Sequence, residues 1–182
     1  MARWIGGIAV LVLIALVLSF ELYERQFRLG HVPEGLNVST VLYATEQSWG
    51  LPFFPLPGDN EAGLIVYELP DGTAKEIRKA GIDYFAKMPQ KAGYGRDWHG
   101  RYETWQSTPV LLEGSDSGTN RTHSYEIANY LNRYGFGISV DSQIEQQINH
   151  AISRPGSFAA YGRTGILIVI PDIRRVVYAY NG

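Results

Sequence analysis

The ten residues at 96–105, RDWHGRYETW, hold the densest set of groups able to do chemistry in this chain. His99 stands close to Asp97 and Glu103, and either carboxylate could orient the imidazole and raise its pKa, giving a general acid–base pair fit for hydrolysis. Side chains of an extended backbone alternate between faces. Asp97, His99 and Glu103 then share one face, with Trp98 and Tyr102 on the other. Gly100 weakens such a strand. The same ten residues also read as a recognition surface, because tryptophan and tyrosine are enriched where proteins meet partners. Trp98, Tyr102 and Trp105, joined by Trp49, are the binding candidates, and they suit a protein interface or the stacking of sugar rings.

Other chemistries lack their residues. With no cysteine there is no disulfide, no thiolate nucleophile and no cysteine-bound metal. The four histidines, His31, His99, His123 and His150, show no paired helical spacing, so no metal site is expected, and no cofactor. The elbow GxSxG is absent. Gly114-Ser115-Asp116-Ser117-Gly118 matches the nucleophile turn of a chymotrypsin-like protease for three letters only, because Thr119 stands where the next glycine belongs. Gly93-Tyr94-Gly95 lacks the third glycine and preceding strand of a dinucleotide loop.

Charge and hydropathy place these residues. Residues 4–20, WIGGIAVLVLIALVLSF, contain no charge and as a helix span roughly 25 Å. Leu22 and Tyr23 extend the run, and Trp4 and Tyr23 are interfacial aromatics. Residues 1–23 therefore read as a transmembrane anchor. A cleaved secretory signal is the competing reading, but the apolar core exceeds the usual 7–15 or so residues and no good small-x-small site follows it. Residues 24–61 read as a juxtamembrane segment and Pro-rich linker, and residues 62–182 as a globular domain. With Arg3 set aside, the body carries 15 basic and 18 acidic residues, a net charge of −3. That balance offers no footprint for nucleic acid. A very short N-terminal tail before a large C-terminal body favours export, although Arg25 and Arg28 follow the anchor. The expected location is the inner (cell) membrane, single-pass, with the domain periplasmic or otherwise extracytoplasmic.

Within the domain, residues 64–67 read as a strand, followed by a helix opened by a Thr73–Glu76 capping box and closed at Gly81. Residues 109–112 read as a second strand, 114–120 as a loop, and a helix begins near Thr122 and ends at Gly135. Ser142 and Glu145 form a second capping box, for a helix with Ile144, Ile148, Ala151 and Ile152 on its apolar stripe. Residues 166–170 are apolar on both faces, as in a strand covered on both sides, and 176–180 return antiparallel to them. Residues 158–161 add a third strand. The expected fold class is α+β, a transmembrane helix followed by one domain with a mostly antiparallel sheet and about three helices. The expected function is that of a membrane-anchored envelope protein whose domain binds another protein, as an accessory, assembly or inhibitor-type factor. The alternatives are an envelope hydrolase using His99 with Asp97 or Glu103, and a glycan-binding module.

Overall fold

The computed structural model describes residues 2–48, 61–88, 100–102, 104–117 and 120–181, with side chains from residue 12 onward except at Ser48 and 114–123. A long helix, α1 (Ala2–Leu29), leads into a six-stranded antiparallel sheet of order β1-β2-β8-β7-β6-β3. These strands are β1 (Val41–Ser48), β2 (Glu61–Glu68), β3 (Trp105–Ser107), β6 (Phe158–Tyr161), β7 (Gly165–Ile170) and β8 (Arg175–Asn181). β4 (Leu112–Ser117) and β5 (Asn120–Ser124) form a separate hairpin. The described short helices are α2 (Asp71–Ala80), α3 (Asp83–Ala86), α4 (Ile127–Leu131) and α5 (Ser142–Ser153).

The α+β class and the antiparallel sheet hold, and so does the reading of β7, whose residues are all buried. Alternation along each strand builds two cores. Leu64, Val66, Ile166, Ile168, Ile170 and Val177 face α4 and α5. Ile65, Tyr67, Leu167, Val169, Val176 and Tyr178 face α2, α3 and the chain that follows α1. An antiparallel sheet covered on both faces explains why β7 is an unbroken apolar run and not an alternating one.

Several local readings change. α2 begins at Asp71, so Thr73 is a buried residue of its first turns and caps nothing; Lys75 instead pairs with Asp71 at 2.6 Å. The cap of α5 is Asp141, whose carboxylate accepts the Gln143 and Ile144 amides at 3.0 and 3.1 Å. Ser142 is one position too late to do this. The expected strand at 109–112 starts only at Leu112, because Val110 donates its amide to the Ile152 carbonyl at 2.9 Å instead of joining a ladder. Much of the expected loop 114–120 belongs to the hairpin, and α4 is one turn that starts at Ile127. Residues 24–48 contribute directly to the fold: Val32 and Leu36 are buried, and β1 pairs with β2 along its length. Among the described residues, no helix is long and apolar enough to cross a membrane. The part of α1 whose side chains are described starts at Val12 and includes Glu21, Glu24, Arg25 and Arg28.

Candidate functional site

The end of α1 is fastened to the sheet by tyrosines. Period-two alternation points Tyr67 of β2 and Tyr178 of β8 to the face that α1 crosses, with Tyr180 packed against the same core. The last carbonyls of a helix have no partners within it. Tyr67 donates its hydroxyl to the Arg28 carbonyl at 2.7 Å. Tyr102 donates to the His31 carbonyl at 2.9 Å, and Tyr84 to the Gly35 carbonyl at 2.6 Å. Three hydroxyls from three parts of the chain thus hold residues 28–35. His31 is buried between rings, stacked on Tyr178 at 4.6 Å and edge-on to Phe27 at 5.0 Å. Tyr180 stacks on Tyr178 at 5.3 Å and lies over Gly63, where an added Cβ would come within 2.6 Å of its hydroxyl.

Burial pushes the phenols of Tyr67, Tyr102, Tyr178 and Tyr180 above their ordinary range. Neighbouring Tyr178 and Glu46 raise Tyr67 further, while Arg28 opposes them. At neutral pH these groups are uncharged hydrogen-bond donors, suited to holding backbone and not to relaying protons. Arg28 pairs with Glu24 at 2.5 Å and with Glu46 of β1 at 3.2 Å.

Of the residues singled out in the sequence, Tyr102 and Trp105 lie in the described structure. Trp49, Asp97, Trp98, His99 and Glu103 lie outside the described residues. Tyr102 is buried and reaches His31 as above. Trp105 opens β3 opposite Ala160, is half-buried, stacks on Phe85 at 4.0 Å and leans on Tyr102 at 6.1 Å. Its buried indole N–H has no hydrogen-bond partner among the described residues. Gly100 adopts φ +73°, and a Cβ there would lie 3.0 Å from the Gly30 carbonyl, so glycine lets this segment pass close to the helix end. His150 is exposed on α5. Among the described residues, no three of His, Asp and Glu converge as metal ligands would.

In the sequence nothing groups His31, Tyr67, Tyr178 and Tyr180 as a set. The two-residue spacing of Tyr178 and Tyr180 shows that they share a face. Nothing local shows that this face receives the residue just beyond the end of α1.

On the other face, a groove of about 370 Å³ opens between β1 and α5. Its walls include Leu42, Tyr43, Ile144, Gln147, Ile173 and Arg175. Leu42 and Ile173 are exposed on its rim. Leu42 sits at a bulge in β1, where the register shifts between Val41 and Tyr43. The Arg175 guanidinium is half-buried and bonds the Arg174 carbonyl at 3.2 Å; among the described residues no carboxylate pairs with it. No protein-family model, curated protein or solved structure matches this chain.

Proposed function

We propose that this chain is a single-pass protein of the cell (inner) membrane, anchored through residues 1–23, whose extracytoplasmic domain binds another protein. The observation that carries the anchor is the state of α1 beyond the sheet. Val12, Leu13, Ile14, Leu16, Val17, Leu18, Phe20 and Leu22 are each at least half exposed among the described residues, so apolar side chains surround this part of the helix. A helix that is apolar all round belongs in a protein core or in lipid. The sequence continues this character back to Trp4 without a charge.

The β1–α5 groove supports a binding role. Among the described residues its lining is apolar and amide, with the Tyr43 phenol, one cation and no carboxylate or histidine, a composition that favours recognition over acid–base catalysis. The fitting partner presents apolar side chains and a carboxylate that meets Arg175. In membranes the full-length chain should fractionate with the bilayer at its full length, and a reporter fused after Gly182 should be active only outside the cytoplasm. Partner capture in those membranes should be lost in Arg175→Glu while the melting temperature stays near wild type. Release of a shortened soluble form would refute the anchor, and undiminished capture by Arg175→Glu would refute the groove.

A further inference from the structure

We infer that the sheet stands on edge at the membrane, with β1 against the lipid headgroups and β3 farthest from them. This placement rests on the anchor proposed above. The chain from Arg28 to His31 passes across the strands. The Arg28 side chain meets Glu46 of β1, the Arg28 carbonyl takes the Tyr67 hydroxyl of β2, and His31 stacks on Tyr178 of β8. The contacts follow the order of strands in the sheet, β1, β2, β8. Followed back toward its N-terminus, the helix leaves the domain over β1. Phe20 and Tyr23 border a cleft of about 350 Å³ with Gln47 and Glu61, and the helix before them has no described partner. A membrane entered by that helix meets the β1 edge first.

The side chains at this edge set its depth. Glu46, Gln47 and Glu61 are exposed polar groups that keep their water, so the edge lies beside the headgroups and not in the hydrocarbon. The placement also accounts for β1 itself. It is an eight-residue edge strand without lysine or proline, interrupted by the bulge at Leu42 and carrying one charge, Glu46. Edges of this length are normally covered or charged to prevent pairing with other chains. Pairing of β1 with β1 of a second copy places the two α1 helices antiparallel on one face of the joined sheet. Two such anchors cannot both enter one bilayer from the same side. The opposite edge, β3 with Trp105, stands five strand spacings away, roughly 24 Å, and faces away from the membrane.

The chain has no cysteine, so Gln47→Cys and Gln106→Cys each accept a single fluorophore at an exposed position on β1 and β3. Leu42→Cys provides a second probe on β1. The full chain is reconstituted into phosphatidylcholine vesicles carrying nitroxide on the headgroup or deep in the acyl chain. Headgroup nitroxide should quench residues 47 and 42 several-fold more than 106, and acyl-chain nitroxide should quench none of them strongly. Equal quenching at both edges in protein that floats with the vesicles would overturn the placement and leave the anchor standing. Strong quenching of residue 47 from the acyl chain would overturn it as well. Protein that does not float would remove the anchor and the placement together.

Discussion

On one face of the sheet, Ile166, Ile168 and Ile170 meet α4 and α5 through side chains that carry no polar atom. On the other, Tyr67 and Tyr178 meet the end of α1 through rings, and the Tyr67 hydroxyl bonds the chain itself. Both faces remove apolar area from water, a contribution roughly proportional to area and indifferent to direction. The tyrosine face adds bonds that fix which residue at the end of α1 lies over which strand. The aliphatic face supplies cohesion. The tyrosine face adds position, which a domain carried on a helix requires.

The largest effect should come from charging the aliphatic face. Ile168 has no exposed surface and lies on β7, one of the two central strands of the sheet. In Ile168→Asp, an unpaired buried carboxylate costs several kcal/mol or is forced to protonate, against a total stability of roughly 5–15 kcal/mol. Circular dichroism of the detergent-solubilised chain should show no cooperative melt. A transition close to wild type would mean that β7 is not a core strand.

Alkaline pH should act mainly through the other face. Burial raises the phenols of Tyr67, Tyr102, Tyr178 and Tyr180, whereas in the unfolded chain they titrate near about 10. Below pH 10 both states are protonated and this contribution to stability is fully present. Above about 10 the unfolded state loses protons first, so stability falls as pH rises, by up to about 1.4 kcal/mol per unit for each protected tyrosine. Among the buried residues described on the aliphatic face, Tyr130 is the one phenol that shares this behaviour. Melting temperatures measured from pH 8 upward should hold steady and then drop. Tyr67→Phe combined with Tyr178→Phe should flatten the drop, and an unchanged alkaline slope would contradict the assignment.

Trp105→Ala should rank next. Its ring stacks on Phe85, and removing an aromatic from a packed site costs about 3–5 kcal/mol, toward the lower end here because Trp105 is only half-buried. The indole N–H has no partner among the described residues, so the predicted cost is that of the ring alone. Thermal melting should register the cost. Loss of partner capture with an unchanged melt would make Trp105 a recognition residue and not part of the tyrosine face.

The parts legible in the sequence were those written in local period. β7 and β8 announce themselves by continuous apolar runs, and α5 by Ile144, Ile148, Ala151 and Ile152 on one stripe. β1 is not legible because its VLYATEQS mixes apolar and polar residues without clean alternation, and a bulge shifts its register at Leu42. Residues 24–61 read as a juxtamembrane segment and linker because the prolines of 51–60 and the mixed polarity of 24–40 carry no clean period; only the tertiary fold shows that Val32 and Leu36 fill the core. The tyrosine clamp was illegible for a related reason. Tyr67, Tyr84 and Tyr102 meet residues 28–35 across 39, 49 and 71 positions of chain, a convergence with no local signature.

The smallest effect is the one that separates the two faces most cleanly. Tyr67→Phe keeps the ring and deletes a single hydroxyl, so the net hydrogen-bond contribution predicts a loss of about 1 kcal/mol, and Tyr102→Phe the same. Ile166→Val on the aliphatic face deletes one methylene and costs about 0.5–1.5 kcal/mol, so the melts of all three should nearly coincide. Local opening should not. Without the hydroxyls, the carbonyls of Arg28 and His31 each lose a partner, and the chain at residues 28–32 loses its directional hold on the sheet. Amide hydrogen exchange there should quicken in both tyrosine variants and remain at the wild-type rate in Ile166→Val. If all three variants speed exchange equally, the hydroxyls contribute only to general stability, and the distinction between a cohesive face and a positioning face fails.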